Sequence, residues 1–281
     1  MQENGETLRL SLLLTGNELV SGDITDTNSV FMARELAGEG LPVDRKLIVG
    51  DQFSSITDAL SLLAENNDIV IINGGLGSTV DDLTAEAAAF VSGSKLVENS
   101  LALKHIEKRF GRKFLANNSS FNSQIKKQAL IPESADLLDN PVGLALGFKL
   151  KIKQALCYFT PGVPSEMRAM LRQSILPDIR RHYKLESSLK TSRLNIIGIG
   201  ESQVQQLLNK NISPEIWDRV QLGFRADQYC VELKLSINDP ASEAVLEDTL
   251  SQVHKLLSGY VFSEGHSLPE TVLDLLRKKM K

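Results

Sequence analysis

The sequence is poor in the residues that mark several large classes of protein. It has only two cysteines and four histidines in 281 residues. Their spacing matches neither a disulfide framework nor a zinc site, so we expect Cys157 and Cys230 to be reduced thiols. Basic residues do not outnumber acidic ones, and the formal net charge is −4. Such a balance gives no general attraction for nucleic acid or for an anionic membrane, and neither is expected as a partner.

Long hydrophobic runs are also absent. The run at residues 87–91 is typical of the longest, far shorter than a bilayer requires, and the first residues lack the charged and then apolar pattern of a signal peptide. We therefore expect a cytoplasmic protein. Its length and its hydrophobic content of 42% allow a large core and favour two domains.

The first half of the chain alternates strand and helix patterns. This alternation predicts an α/β domain, an open and mostly parallel sheet with helices on both faces. Strands are predicted at residues 8–14, 42–49, 68–72, 144–150 and 154–159. Helices are predicted at residues 27–37, 54–64, 81–91, 100–110 and 119–130, and from Pro164 onward.

The pattern changes beyond residue 185. A β-α-β-β-α-β order predicts a smaller α+β sandwich domain, ferredoxin-like or a relative of it. The predicted divisions are residues 1–172, residues 173–265 and a terminal helix within residues 266–281. That helix carries an apolar stripe that either folds back on the second domain or pairs with another subunit, and we expect a homodimer. The stripe consists of Leu268, Val272, Leu275, Leu276 and Met280.

The most informative stretch is a glycine loop, residues 74–84, directly after a predicted buried strand. Strand, glycine turn and helix start form an arrangement that holds anions on backbone N–H groups. Asp81 and Asp82 in the first helical turn would repel a phosphate unless a divalent cation lay between them, which predicts a metal at these two residues. A capping box of Thr79 and Asp82 explains the same residues without a ligand. The loop is neither a Walker A motif nor a dinucleotide fingerprint.

Loops that follow parallel strands meet at one edge of the sheet, where ligands bind. The loops at Glu18, Asp51, residues 74–82 and Glu166 should therefore face one cleft, whose carboxylates suit Mg²⁺ or Mn²⁺. Asn28 is explained equally well as a residue that binds a ribose or base and as a helix cap. Lys127 is explained as a residue that binds a phosphate or, with stronger support, as a charge that complements a helix dipole. The predicted substrate-binding residues are Gly16, Glu18, Asn28, Gly74, Gly75, Gly77, Ser78, Thr79, Lys127, Asn140, Ser165 and Glu166.

Several of these motifs occur together and in order along almost the whole chain. They are Gly16-Asn17-Glu18-Leu19 with Gly22, Asp26-Thr27-Asn28, Val49-Gly50-Asp51, residues 74–84, Asn140-Pro141-Val142-Gly143, residues 161–167 and Gly198-Ile199-Gly200-Glu201-Ser202. Together they resemble the N-terminal region of the CinA family of competence/damage-inducible proteins. The resemblance implies a MoaB/MogA-like molybdopterin-binding fold followed by a KH-type module.

The resemblance also implies an activity, that of a metal-dependent ADP-ribose pyrophosphatase producing AMP and ribose 5-phosphate, with Mg²⁺, Mn²⁺ or Co²⁺. By the same resemblance, Asp51 and Asp82 are the catalytic aspartates. A nucleotide-sensing module without catalysis, or pterin handling, is the alternative. Many CinA proteins continue into a nicotinamide mononucleotide deamidase domain where this chain stops, and no deamidase activity is expected from a truncated or natural short form. Five positions depart from the family pattern, which leaves open whether the activity is altered or lost. They are Asn73, Ser78, Ile125, Leu144 and Leu146.

Overall fold

The computed structural model describes residues 8–110, 125–185, 190–226, 230–237, 240–265 and 268–279. It separates into two compact units, residues 1–37 with 41–186, and residues 38–40 with 187–281. The predicted boundary at residue 172 falls inside a helical segment that runs from Pro164 to Tyr183. That segment packs on the first sheet, so the division lies further along the chain than predicted.

The first unit is built on a six-stranded sheet. Its strand order is β2-β1-β3-β8-β7-β6, with the first four strands parallel and the last two antiparallel to their neighbours. β1 and β3 lie at its centre and are wholly buried, as their nearly continuous apolar sequences require. The strands of this unit are β1 (Leu10–Thr15), β2 (Val43–Val49), β3 (Ile69–Asn73), β4 (Leu96–Glu98), β5 (Leu130–Pro132), β6 (Asp136–Leu138), β7 (Gly147–Ile152) and β8 (Ala155–Thr160).

Helices cover both faces of this sheet, as predicted. On one face Leu13 and Ile72 pack with side chains of α3, α4 and α5, and on the other Leu12 and Ile71 pack with side chains of α2, α6 and α7. A single π-helical turn, Leu171–Ile175, joins the last two helices. The helices are α1 (Asn17–Ser21), α2 (Asn28–Gly38), α3 (Phe53–Asn66), α4 (Thr84–Ser92), α5 (Ser100–Phe110), α6 (Pro164–Met170) and α7 (Leu176–Tyr183).

Some predicted elements differ from the structure. α4 begins at Thr84, so Asp81 and Asp82 precede the helix instead of forming its first turn. The loop predicted after β1 contains the short helix α1. In the predicted helix at 119–130, residues 119–124 lie outside the described residues, 125–127 are helical, and β5 begins at Leu130. The three-residue strands β4, β5 and β6 were not predicted because they are too short to show a period.

The second unit has the predicted β-α-β-β-α-β order. Its four strands are all antiparallel, in the order β10-β11-β9-β12, which confirms the ferredoxin-like α+β sandwich. The KH-type likeness stays a prediction. The elements are β9 (Thr191–Ile196), α8 (Glu201–Asn211), β10 (Val220–Ala226), β11 (Val231–Ile237), α9 (Glu243–Leu256), β12 (Val261–Glu264) and the terminal helix α10 (Leu268–Lys279).

Helix α10 keeps much of its apolar stripe in solvent. Val272 is 46% exposed, Leu275 56% and Leu276 54%, whereas Met280 lies outside the described residues. Within the described ranges, no helix combines the length and the apolar character that a membrane span requires.

Both cysteines are free, as predicted, and they lie in different units. Cys157 is wholly buried on β8, and burial raises the pKa of its thiol to about 12. Such a thiol is a small packing group and is not a reactive nucleophile.

Candidate functional site

The four parallel strands end at one edge of the first sheet, and a cleft of about 570 Å³ opens there. The structure brings together at this cleft most of the loops that the sequence predicts. The predicted residues that line it are Gly16, Glu18, Asp51, Gly74, Gly75, Gly77, Asp81, Asp82 and Glu166. The other predicted residues, Asn28, Ser78, Thr79, Lys127, Asn140 and Ser165, do not line it.

The glycine loop after β3 requires two of its glycines. Gly74 has φ +113° and Gly75 has φ +65°, conformations that residues with side chains rarely adopt. A Cβ atom on Gly74 would lie 2.6 Å from the carbonyl oxygen of Thr15, and one on Gly75 would collide with the hydroxyl of Thr84. The backbone of this loop therefore lies directly on the ends of β1 and α4.

Asp82 holds the glycine loop closed. Its Oδ1 accepts a hydrogen bond from the Gly77 N–H at 2.8 Å, and its Oδ2 accepts one from the Thr79 N–H at 2.8 Å and another from the Thr79 hydroxyl. The predicted pairing of Thr79 with Asp82 thus exists, but it closes a loop and caps no helix, since α4 begins only at Thr84.

The closed loop leaves part of its backbone free. The N–H of Gly74 is bonded to the carbonyl of Thr160, and Asp82 occupies those of Gly77 and Thr79. Among the described residues, the N–H groups of Gly75 and Leu76 meet no acceptor, and both residues line the cleft. Of the loop residues at the cleft, these two N–H groups can receive an anion.

Lys127 and the two predicted serines have other positions than expected. The Lys127 Nζ donates to the carbonyl of Thr79 at 2.5 Å and to that of Val80 at 3.3 Å, so it braces the outer side of the glycine loop. Ser165 is exposed, and neither Ser165 nor Ser78 lines the cleft. The structure therefore assigns none of the three a direct contact in this cleft.

Asp51 follows β2 and is fixed by a residue that the sequence interpretation did not single out. The N–H of Asn17 donates to Asp51 Oδ2 at 2.8 Å, and the N–H of Asp51 donates to Asn17 Oδ1 at 3.1 Å. Burial raises the pKa of the Asp51 carboxyl, and the nearby carboxylates add to the increase. Those carboxylates belong to Glu18, Asp81 and Asp82.

Asp81 is exposed to solvent. A hydrogen bond from the Thr79 side chain lowers the pKa of Asp81, and the charge of Lys127 contributes in the same direction. Within the described residues, no three His, Cys, Asp or Glu side chains converge on one point. The oxygen-only donor set nevertheless fits a hard cation such as Mg²⁺ if one or two carboxylates bind it and water or substrate oxygens complete its coordination.

Another wall of the cleft, formed by residues 142–145, is built around Asn140, which is wholly buried. Its Oδ1 accepts from the N–H groups of Val142 at 3.1 Å and Gly143 at 2.8 Å. Its Nδ2 donates to the carbonyl of Ala145 at 2.8 Å and to Glu166 Oε2 at 2.7 Å. Asn140 is thus a positioning residue for the loop and for Glu166, and it does not face a ligand.

Helix α5 fixes the same loop from behind. The guanidinium of Arg109 donates to the carbonyls of Val142 at 2.6 Å, Pro141 at 2.5 Å and Asn140 at 3.2 Å. The His105 ring lies 3.2 Å from the carbonyl of Gly143. These contacts span more than thirty positions, and no local pattern indicates them.

Asn28 links the ends of strands instead of contacting the cleft. Its Nδ2 donates to Asn73 Oδ1 at 2.9 Å and to the carbonyl of Gly162 at 2.7 Å, while its Oδ1 is buried with no partner in the described part of the chain. Asn73 in turn donates to the Thr160 hydroxyl and to the carbonyl of Pro161. Asn73, one of the departures from the family pattern, therefore joins β3, β8 and α2.

Comparison with known proteins gives the same fold. Residues 11–181 match a family described as a probable molybdopterin binding domain. A CinA-like protein from Citrifermentans bemidjiense is 38% identical over 276 residues, covering 97% of this chain and 64% of that protein. A solved structure of CinA from Thermoplasma acidophilum, described as of unknown function, is 34% identical with a TM-score of 0.56, covering 62% of this chain and 98% of that one.

Another similar protein has a more specific name. The nicotinamide-nucleotide amidohydrolase PncC of Shewanella oneidensis is 34% identical over 258 residues, which cover 92% of this chain and 59% of that protein. The chain thus spans about three-fifths of the length of the curated relatives it matches. The predicted molybdopterin-binding-type fold is confirmed by the family match and by the structure.

Proposed function

We propose that this chain, which belongs to the family of CinA-like proteins with a molybdopterin-binding domain, hydrolyses the diphosphate bond of ADP-ribose or of a related nucleotide with a divalent metal ion. The proposal joins the family with the chemistry of the cleft. One relative is named as an amidohydrolase of nicotinamide nucleotide, and that name is compatible with a nucleotide ligand in general.

A single observation carries the proposal. Among the described residues that line the cleft there are five carboxylates and no lysine, arginine or histidine, yet the glycine loop offers two free N–H groups. A diphosphate would be repelled by this wall unless cations came with it, because like charges at close range in a partly dry site are strongly unfavourable. The five acidic residues are Glu18, Asp51, Asp81, Asp82 and Glu166.

Each side chain then has a separate task. The N–H groups of Gly75 and Leu76 bind one phosphoryl group, and Asp82 keeps them in place by closing the loop. Asp51, held by Asn17, orients a water molecule and accepts its proton as the water attacks one phosphorus. The bond from that phosphorus to the bridging oxygen breaks, and the other phosphate leaves with the bridging oxygen. A divalent ion on Asp81 or Asp82 would supply charge neutralisation and polarisation of the phosphoryl oxygen.

The direct test is product analysis. The protein is incubated with ADP-ribose and Mg²⁺, Mn²⁺ or Co²⁺, and the products are separated by chromatography. We expect AMP and ribose 5-phosphate in equal amounts, none of either with EDTA, and unchanged rates in the surface control Glu133→Gln. Intact ADP-ribose after prolonged incubation with every metal would exclude the proposal.

A nucleotide-sensing module without catalysis is the second candidate. Leu144, one of the departures from the family pattern, lines the cleft and places an apolar side chain where the family commonly has a hydroxyl. Titration calorimetry separates the two functions, since a sensor gives heat of binding with ADP-ribose and forms no product. Pterin handling would instead require binding of a molybdopterin ligand or its adenylylated form.

We also propose that the protein is a homodimer. The half-exposed apolar stripe of α10 is the supporting observation, because such side chains on one face of a helix favour burial against a partner. Light scattering at micromolar concentration tests this, and a mass near 30.9 kDa that does not change with concentration would contradict it.

A further inference from the structure

The cleft is longer than a diphosphate requires. It crosses the ends of β2, β1, β3 and β8, three inter-strand spacings or about 14 Å. Asp51 follows the first of these strands and Glu166 follows the last, with the glycine loop between them. A ligand whose diphosphate lies on the glycine loop therefore extends toward Glu166 with whatever group is attached to it.

The Glu166 side chain packs closely against Asn140 and Gly143. Its Oε2 receives the hydrogen bond from buried Asn140, and a Cβ atom on Gly143 would collide with the same carboxylate. Among the described residues, Oε1 receives no hydrogen bond, and the side chain lines the cleft. One oxygen is thus fixed by the protein, and the other presents its lone pairs to the cleft.

The chemistry of this wall limits what Glu166 can bind. A carboxylate repels phosphate, and no basic side chain of the described residues lines the cleft to offset that charge. The cleft is also lined by apolar residues of the loops on either side of Glu166 in the fold, Val142, Leu144, Pro161 and Val163. The group that suits this wall is neutral, donates through O–H, and has a carbon face. A pentose with two adjacent hydroxyl groups fulfils all three conditions, and a carboxylate accepts hydrogen bonds from such a pair.

We propose that Glu166 accepts hydrogen bonds from the vicinal hydroxyls of a pentose attached to the diphosphate, so that the site selects ribose over deoxyribose. This inference rests on the proposed function, and it makes Glu166 a specificity residue. Either ribose of ADP-ribose offers the same pair of hydroxyls, so the test must identify which one is bound.

The kinetic test uses three substrates with the metal-loaded protein: ADP-ribose, the analogue without the 2′-hydroxyl of its adenosine, and the analogue without the 2-hydroxyl of its terminal ribose. In the wild type we expect kcat/KM to fall about 10- to 100-fold for one analogue, the loss of a hydrogen bond to a charged group. In Glu166→Gln this difference should shrink to about 3-fold or less. Glu133→Gln, which removes an exposed carboxylate outside the cleft, should keep the full difference.

A binding test makes the inference independent of turnover. Calorimetry with Mn²⁺ present compares AMP with 2′-deoxy-AMP and ribose 5-phosphate with 2-deoxyribose 5-phosphate, in the wild type and in Glu166→Gln. Selective binding in the wild type that is lost in the variant supports the role of Glu166 even if ADP-ribose is not hydrolysed. Equal affinities in the wild type, or selectivity kept in a folded variant, would overturn it while leaving a measured pyrophosphatase activity intact.

Discussion

Two loops line the cleft, and each is shaped by one side chain that accepts hydrogen bonds from two backbone N–H groups. Asp82 does this for the glycine loop, and Asn140 does it for the loop at residues 140–145. Asp82 is charged and lines the cleft, whereas Asn140 is neutral and wholly buried. Asp82 can contact a ligand in the cleft directly, whereas buried Asn140 acts only by positioning its loop and Glu166.

This difference in burial and charge predicts that Asn140 contributes mainly to stability and Asp82 mainly to the chemistry of the cleft. A buried amide with every polar atom bonded contributes to folding, because its removal leaves backbone groups without partners. A carboxylate at the cleft contributes less to folding and more to the charge that the ligand meets. Variants of the two loops should therefore fail in different ways.

The largest expected effect is that of Asn140→Ala on folding. The substitution leaves the N–H groups of Val142 and Gly143 and the carbonyl of Ala145 without their partner, so the free energy of unfolding should fall by about 3 kcal/mol. Urea denaturation measures it. The exposed neighbour Asp139 is the control, with Asp139→Asn expected to remain within about 0.5 kcal/mol. A small effect of Asn140→Ala would show that the loop holds its shape without the amide.

The next effect concerns turnover and separates Asp51 from Asp82. In Asp51→Asn the amide oxygen still accepts from Asn17, so we expect turnover to fall by about 100-fold with little change in stability. Asp82→Asn has only one acceptor oxygen for Gly77 and Thr79, so it should lose turnover and about 1 kcal/mol of stability together. Near-normal turnover of Asp51→Asn would remove Asp51 from the catalytic role.

A third substitution tests how far the glycine loop depends on its backbone. Gly75→Ala places a side chain at φ +65° and against the hydroxyl of Thr84, and we expect a loss of about 2–3 kcal/mol. Gly93 has nearly the same φ, +68°, with nothing near its Cβ direction, so Gly93→Ala should cost only about 1 kcal/mol. Thermal unfolding of both variants separates conformational strain from collision. Equal losses would mean that the Thr84 hydroxyl moves aside freely.

The smallest effect is expected at Lys127. Lys127→Ala removes two hydrogen bonds to exposed carbonyls of the glycine loop and should lower the free energy of unfolding by about 0.5–1 kcal/mol. Lys126→Ala, at the exposed adjacent position, is the matched control and should change it by less than about 0.3 kcal/mol. If the free energies of unfolding of the two variants are the same, Lys127 does not stabilise the glycine loop, and the predicted contact with a phosphate regains support.

The fold follows from the sequence where periodic patterns are long. The buried runs at β1 and β3 and the helical stripe of α3 predict their elements within a few residues. The start of α4 does not follow, because Asp81 and Asp82 suit a first helical turn as well as a loop. Only the hydrogen bonds from Gly77 and Thr79 to Asp82 decide between the two.

The candidate site is predictable as a place and less so in its contacts. Parallel strands bring Asp51, the glycine loop and Glu166 to one edge, as the sheet order requires. The roles of Lys127, Asn28 and Asn140 depend on hydrogen-bond partners that lie 26 to 134 positions away in the sequence. Some of these partners are backbone carbonyls, whose direction the sequence does not indicate. Asn17 belongs to the same motif as Glu18, but no local pattern indicates that its backbone N–H and side-chain oxygen hold Asp51, which lies 34 positions away.

The close approach of Glu166 to Gly143 couples two positions that are distant in the sequence. Any side chain at position 143 would occupy the place of the carboxylate, and Glu166 would then have to leave the wall and its bond with Asn140. A substitution at position 143 therefore changes this wall through position 166 as well, because the Glu166 carboxylate has to move.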